Sequence, residues 1–563
     1  MSEERFLAVI ETQRVKGYLF ASPILRETRG ASLLLDRLNR QKTQTLLKRT
    51  GGRLIYLGGG SGRALFPSRA QADDFAREVV NLYREETWNA RVSVEVLERN
   101  DGESFPAWVA RGVAESRKNK LSRTEAIPLL GGRWLRPCTS CGREPAEWIP
   151  KPDVQGPHQL CRSCLAKREQ IRSFYRGVKG DLDRLIPIPP AAALQRDWPD
   201  YVLTTLAAAV EREPGEGTRT LLPRDFNHIG ARSRPRNYFA LIYADGNRMG
   251  ETIRAMAEIF PGDEEAQQAY CSFSAIVDRS TREAAVEAVL AELGTEEMET
   301  DESGPARLVA AEFVIAGGDD LILVVPAHAA LGVAERFITG FQRKSIELQE
   351  EAIAAGELAR RFACGGLTTS AGIVISHASY PASQLVELAA DLMKSAKRKA
   401  ADRDRNPEGH GTLDFMVVHE SGTESVKERR KEYEGKLPTG RPVRRTERPY
   451  TAGEVAKLRE RILALKESGV PRGKLKALYA SLFRSPVEAQ YEAARIRERL
   501  VATGSDQRSA ALGTLLEELC LFPFRESEGG WSTPLSELIE MYDFIHSPEM
   551  GAAGPAGMEE TLG

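Results

Sequence analysis

The chain has 563 residues, too many for one compact core, and its length sets an expectation of three or four domains. Hydrophobic residues make up 42% and charged residues 28%, and 78 basic side chains against 80 acidic ones leave a formal net charge of −2. That balance excludes a histone-like polycation, and no apolar run reaches the roughly 18 residues of a membrane span. MSEERFLAVI opens with charge and then a short strand-like run, which is not the pattern of a signal peptide. Seven cysteines cannot form a disulfide scaffold in so long a chain. Four of them sit in two CxxC pairs, which favours a reducing, cytoplasmic compartment and a metal.

In chain order, an apolar run from Phe6 to Ile10 predicts a strand. Ile24, Leu25, Ala31, Leu34, Leu35 and Leu38 then share a helix face. RLIYLGGGSGRALF reads as two short strands around a glycine-rich turn at Gly58 to Gly62, and Phe75, Val79 and Leu82 mark another helix. Strand, helix, hairpin, helix predicts an α+β layer with helices on one face of an antiparallel sheet. Residues 126–235 break that pattern with four cysteines, prolines and polar loops. From Asn237 the order returns, with FALIYAD, a helical stretch, the hairpin FVIAGGDDLILVVP, a helix, LTTSAGIVIS, the helix PASQLVELAADLMKSAKRKA and the strand GTLDFMVV. The shared order is an apparent internal duplication. Residues 421–450 are rich in charge and read as a solvated linker, and 451–550 show the helical spacing of a small bundle. The expected divisions are 1–125, 126–235, 236–420, 421–450 and 451–550.

Asp245 ends the strand Phe239–Ala244, and the following GNRMG has glycines that let backbone N–H groups approach a phosphate. Asp319 and Asp320 follow Gly317 and Gly318 at the tip of the second hairpin. If both segments belong to one sheet, three carboxylates converge at its edge. Such crowding raises carboxylate pKa values, and hard divalent cations relieve it; oxygen-only ligation suits Mg²⁺ or Mn²⁺. Two such ions about 4 Å apart lower the pKa of an attacking hydroxyl and stabilise a departing pyrophosphate, as nucleotidyl transfer requires. Alone, GGDD reads equally well as a tight turn. The strand-end Asp245 and a downstream helix with Lys394 and Lys397 on one face favour the metal site, although two such lysines also suit a solvated face.

FALIYADGNRMG, GGDD, TSAGIVISHASYP and the ADLMKSAK helix resemble the catalytic palm of the large subunit of type III CRISPR–Cas effector complexes, which is related to GGDEF-type nucleotide cyclases. VIETQRVKGYLFASPILRETRGASLLLDRLNR resembles the first palm of the same family, and together the matches cover most of residues 5–420. The resemblance implies two ferredoxin-like palms and an RNA-activated enzyme that joins ATP into cyclic oligoadenylate messengers. Guide RNA, target RNA and other effector subunits would be its partners. It implies that Asp245, Asp319 and Asp320 hold the metals, that Gly246 and Asn247 line the phosphates beside Gly317 and Gly318, and that Lys397 meets the triphosphate. Ser32, Gly59 and Gly60 of the first palm would help hold a second nucleotide. That palm departs from an active pattern, with Thr12 near the place of the strand-end Asp and GGGSG in place of GGDD, which marks it as a non-catalytic partner. Many family members begin with a histidine–aspartate nuclease domain; this chain has no His-Asp dipeptide and no histidine before His158, so DNA cleavage is not expected.

Cys138 and Cys141, nineteen residues, then Cys161 and Cys164 match a structural four-thiolate Zn²⁺ site; a redox pair or four core thiols are the alternatives. Arg143, Lys151, Arg162 and Lys167 nearby read as solvated surface or as contacts to RNA or a subunit. Cys271, Cys364 and Cys520 read as core fillers. His377 follows the palm strand and is a candidate to approach the nucleotide, while His228 has no role in the sequence reading. A catalytically silent RNA-binding scaffold and a free-standing cyclic dinucleotide synthase remain as alternatives to the cyclase.

Overall fold

The computed structural model describes residues 4–122, 135–149, 158–174, 185–197, 202–212, 219–260, 262–298, 306–362, 365–419, 425–437, 440–467, 470–502, 524–527 and 530–546. The first sheet begins with β1 (Phe6–Gln13), whose Leu7 and Val9 face one core and Ala8 and Ile10 the other. The chain continues through α1 (Val15–Leu19), α2 (Leu25–Arg37), α3 (Thr43–Arg49), the hairpin β2 (Arg53–Gly58) and β3 (Ser61–Phe66), α4 (Arg69–Thr87) and β4 (Arg91–Glu98). The Ser68 side chain caps α4 by accepting from the Gln71 N–H. The strands pair antiparallel in the order β2-β3-β1-β4. Phe105 and Trp108 of α5 (Phe105–Ser122) cover the Leu7 and Val9 face.

A connecting region follows, with β5 (Glu147–Ile149), β6 (His158–Leu160), α6 (Arg162–Phe174), β7 (Leu185–Pro187), α7 (Ala191–Asp197), α8 (Val202–Glu211), β8 (Arg219–Pro223) and α9 (Phe226–Ala231). Then come β9 (Tyr238–Gly246), α10 (Met249–Ile259), α11 (Asp263–Leu293), the short β10 (Glu296–Met298) and β11 (Ala306–Leu308), the hairpin β12 (Glu312–Gly317) and β13 (Asp320–Pro326), α12 (Ala330–Ala354), β14 (Thr369–His377), α13 (Ala382–Ala401) and β15 (Thr412–Val418). The order β12-β13-β9-β14 repeats that of the first sheet, and β15 adds on parallel to β14. The expected duplication is therefore present in topology: each half is strand, helix, hairpin, helix, strand, the ferredoxin-like palm. Phe239 to Ala244 are buried because both faces of β9 are covered, with Leu241 and Tyr243 in one core and Ala240, Ile242 and Ala244 in the other.

The palms are tied together by a buried ion pair. Arg29 of α2 donates through Nε to Glu312 Oε1 at 2.8 Å, through Nη2 to Glu312 Oε2, and to the Pro223 carbonyl at 3.0 Å. Both side chains are 2% exposed. Removing one partner of such a pair strands the other charge away from water. Glu312→Ala is therefore expected to cost about 3–5 kcal/mol, measured as a lowered urea midpoint, and Arg29→Met with Glu312→Leu should recover most of it.

Among the described residues, the charged segment that reads as a linker is folded instead. Arg448 is buried and donates to Glu540 Oε2 at 3.0 Å and to the Phe415 carbonyl at 3.1 Å, while Arg430 pairs with the buried Asp414 of β15. Its arginines serve internal partners, which charge content alone does not reveal. Helices Ala452–Glu467, Arg472–Arg484, Pro486–Ala502 and Leu535–Glu540 follow, joined by a small sheet that includes Pro442–Arg444 and Gly530–Ser532. The expected helix over LGTLLEEL lies outside the described residues.

Candidate active site

The pairing of β13 with β9 sets Leu321 opposite Ala244, so one step further Asp320 faces Asp245 on the same side of the sheet. The hairpin closes with Gly317 opposite Asp320. Gly318, the first residue of the turn, has φ 62°, the conformation that a side chain disfavours. The tip is pinned to α11: the Gly318 N–H donates to Asp278 Oδ1 at 2.9 Å, and its carbonyl accepts from Thr281 Oγ1 at 2.6 Å. A Cβ on Gly246 would come within 2.9 Å of the Asp319 Cβ, so glycine there lets the two acidic positions close up. Burial together with the Asp245 and Asp320 charges pushes Asp319 up to about 7. Burial and Asp245 push Asp320 up to about 6, against the pull of Lys16, Tyr243 and Lys397. The three carboxylates therefore meet at one sheet edge and repel one another, and a set of hard oxygen donors short of positive charge fits Mg²⁺ or Mn²⁺.

Two ammonium groups stand at this cluster. Lys397 of α13 lies 2.7 Å from Asp245 Oδ2 and donates to the Gly246 carbonyl at 2.7 Å, so it engages the carboxylate expected to bind metal. Lys16 of α1 comes from the first palm. Its Nζ donates to Tyr243 Oη and sits 3.8 Å from the ring centroid, and Tyr243 Oη donates to Asp320 Oδ1 at 3.3 Å. Tyr243 was within reach of sequence reasoning, because a residue two before Asp245 in a strand shares its face. Lys16 was not, since nothing local links it to the second palm.

The hairpin tips of the two palms meet. A Cβ on Gly59 would lie 3.2 Å from the Gly318 Cα, and one on Gly318 would lie 3.4 Å from the Gly59 Cα. Gly58 faces Ser61 as Gly317 faces Asp320, and Ser61 faces Glu11 as Asp320 faces Asp245. Glu11, not Thr12, thus holds the place of Asp245 in the first palm, and Gly60 and Ser61 stand for Asp319 and Asp320. This corrects the placing of Thr12 at the strand-end position. Glu11 lies 4.0 Å from the buried Arg63, whose guanidinium also donates to Ser61 Oγ at 3.2 Å, so the first palm meets its one acid with an internal cation. Arg40, just past α2, reaches Asp278 at 2.7 Å, which ties the first palm to the residue pinning the second tip.

A cavity of about 100 Å³ lies between the palms, lined by Lys16, Ser32, Gly59, Gly60, Gly317 and Asp320 among others. Ser32 and the first-palm glycines therefore stand beside the acidic tip. Asn247 turns inward: its amide donates to Thr368 Oγ1 at 3.2 Å and its oxygen accepts from Ser370 Oγ at 2.8 Å, so its side chain does not line the site. Lys394 is exposed and paired with Asp391 at 2.9 Å. His377 pairs in register with Tyr238, at the opposite end of β9 from Asp245, and is bound to Ser379, so it does not approach the acidic cluster. His228 accepts from the Arg224 N–H at 3.3 Å at the start of α9. A larger cavity, about 710 Å³, also lies at that far end, against Tyr238, Arg472 and Asp543. Two of its charged groups have internal partners, Arg472 with Asp543 and Glu540 with Arg448, and none of the three clustered acids lines it.

The four cysteines come together as expected. The Sγ atoms of Cys138, Cys141, Cys161 and Cys164 all lie within 4.8 Å of one another, and Cys141 and Cys161 are 3.8 Å apart. Thiolates about 2.3 Å from a tetrahedral zinc stand at nearly that separation. The Ser140 and Cys164 N–H groups donate to Cys138 and Cys161 Sγ, each at 3.4 Å, which supports thiolate charge. The cluster is compatible with zinc. Lys167 is fully buried and donates to the Tyr18 carbonyl at 2.6 Å, contrary to its reading as solvated surface. Arg162 pairs with Glu147 and lies 4.2 Å over the Trp88 ring, and Arg143 is exposed. Cys271 is exposed and no core filler, while Cys364, Cys520 and Lys151 lie outside the described residues.

Residues 238–406 match the family described as Cas10/Cmr2, second palm domain. No curated protein matches the chain. The crystal structure of Csm1 in T. onnurineus is similar with a TM-score of 0.52 at 14% identity, over 96% of this chain and 70% of that one. Crystal structures of a Csm1–Csm4 cassette in complex with cA3 and with pppApA each give 0.50 at 14% identity, over 97% of this chain and 70% of theirs. At these identities the likeness is one of fold. It extends across nearly the whole chain, both palms included.

Proposed function

From a second palm that matches the Cas10/Cmr2 family, we propose that the chain is a nucleotidyl cyclase of type III CRISPR antiviral defence, joining ATP into cyclic oligoadenylates when its complex meets target RNA. The observation that carries this reading is a half-buried three-carboxylate edge facing, tip to tip, a palm of the same topology whose own tip is glycine and serine. The similar Csm1–Csm4 structures in complex with cA3 and pppApA support adenylate as the substrate and other effector subunits as partners. Guide and target RNA, and a cytoplasmic location, belong to the same proposal. No helix among the described residues is long and apolar enough to cross a membrane.

Asp245, Asp319 and Asp320 would hold two Mg²⁺ or Mn²⁺ ions. When bound, these would lower the pKa of an attacking 3′-hydroxyl and neutralise charge on the departing pyrophosphate. The protein's own part is positioning. Gly317 and Gly318 leave the tip bare for close approach of one triphosphate, and Ser32, Gly59 and Gly60 border the second nucleotide. The 3′-oxygen of one ATP forms its bond to the α-phosphorus of the other as the bond to pyrophosphate breaks. The cavity is below the ~300–1,000 Å³ usual for ligands, so two nucleotides require the touching tips to part. That suits an enzyme held closed until RNA is recognised. The cysteine module, with Zn²⁺, would have a structural role.

The test is the mass of product from mixed nucleoside triphosphates with Mn²⁺ and target-loaded complex. Cyclic oligoadenylates are expected; unchanged triphosphates from a complex that binds target would leave only an RNA-binding scaffold. Product made by the chain alone would instead indicate a free-standing cyclase.

A further inference from the structure

We propose that Lys16, supplied by the first palm, is a phosphate-binding cation of the second palm's site and stands in as counterion for a divalent ion when none is bound. The inference rests on the cyclase reading and adds to that site a charged side chain from the first palm.

The placement of Lys16 follows from the turn before it. Arg14 has φ 51°, and the register-equivalent Arg248 makes the same turn at φ 56° after β9. The turn carries α1 across the palm boundary, so that Lys16 lines the cavity with Ser32, Gly59, Gly60 and Asp320. The α1 backbone is held from behind. The Tyr18 carbonyl accepts from the buried Lys167, whose ammonium also lies 4.1 Å over the Tyr18 ring. A Cβ on Gly30 of α2 would come 2.0 Å from the Lys167 carbonyl, so the cysteine module's α6 is wedged directly against the helices that carry Lys16 and Ser32.

Charge defines the role. The charged groups around Lys16 are Asp320, Asp245, Lys394 and Lys397. Lys16 makes no ion pair with either carboxylate among the described residues; Tyr243 Oη relays its charge to Asp320. Lys397 is paired directly with Asp245. Two ammonium groups therefore face three carboxylates, one positive charge short, where two divalent ions are proposed. On entry of those ions the ammonium groups are repelled, and the triphosphate brings the nearest new negative charge. A lysine on a flexible stem can follow it.

This role predicts two effects of opposite sign. Lys16→Met keeps the stem over Tyr243 and removes the charge. Mn²⁺ alone, titrated into nucleotide-free full-length protein and followed by the electron paramagnetic resonance of the free ion, should bind roughly 3–10-fold more tightly as a repelling charge is lost. A non-hydrolysable ATP analogue should bind about 10-fold or more weakly, the loss of a charge-assisted contact. Lys16→Arg should stay within a few-fold of wild type in both. A merely structural lysine would weaken both together, and that result, or unchanged affinity for the ATP analogue, overturns the proposal. If wild-type complex binds Mn²⁺ and ATP and forms no joined product, the cyclase reading fails while the two opposed shifts still decide the role of Lys16.

Discussion

Asp319→Ala combined with Asp320→Ala is expected to lower nucleotide joining by on the order of 10³-fold or more, in a protein no less stable than wild type. The loss follows because two of the three oxygen donors at the sheet edge disappear together. The stability follows from the sign of the pKa shifts. Asp319 and Asp320 rise from 3.8 to about 7 and about 6, so the fold favours their protonated forms. Their contribution to stability is full below the ordinary value and is lost as pH rises through the folded values. Metal-free wild type should therefore lose melting temperature between about pH 4 and about pH 7 more steeply than the double variant. Mn²⁺ should restore wild type and leave the variant unmoved. Full activity in the variant, or equal pH slopes, would contradict the assignment.

Cys161→Ser is expected to abolish bound zinc and to loosen the first palm as well as the cysteine module. Structural zinc is worth about 10–16 kcal/mol in small isolated sites, so most of the module's stability should depend on it. The damage should spread along identifiable contacts. Glu27 on α2 is buried and binds both Ser140 and Arg168, and Lys167 holds the Tyr18 carbonyl of α1. Loss of zinc should therefore expose 135–149 and 158–174 to protease and also weaken binding of the ATP analogue. Metal analysis of protein purified without chelator should give one zinc per wild-type chain and none in the variant. A zinc-free wild-type chain with a protease-resistant module would refute the site.

Much of this was legible because some residue types carry their reason with them. FALIYAD could only be a doubly covered strand ending in an acid, and the spacing of Cys138, Cys141, Cys161 and Cys164 matched a known metal geometry. GGDD was ambiguous alone and became informative through Asp245. The internal duplication was visible as an order of elements, but its register was not. A one-residue offset therefore put Thr12 where Glu11 stands. Long-range partners left no local trace. Arg448 and Arg430 looked solvated because their buried acids, Glu537 and Asp414, are distant in sequence or lie in another element. Lys16 needed knowledge of which palm it crosses into, and Asn247 was misjudged because backbone position alone does not tell which way an amide turns.

If Asp245, Asp319 and Asp320 grip a pair of hard cations at one edge of the second palm, those ions should be visible there. Anomalous scattering from crystals of the chain grown with Mn²⁺ and a non-hydrolysable ATP analogue tests it most directly. Two manganese peaks are expected about 4 Å apart, each within about 2.2 Å of these carboxylate oxygens, with Lys397 displaced from Asp245. A map without manganese there, with Lys397 still closed on Asp245 and the analogue bound elsewhere, would contradict it.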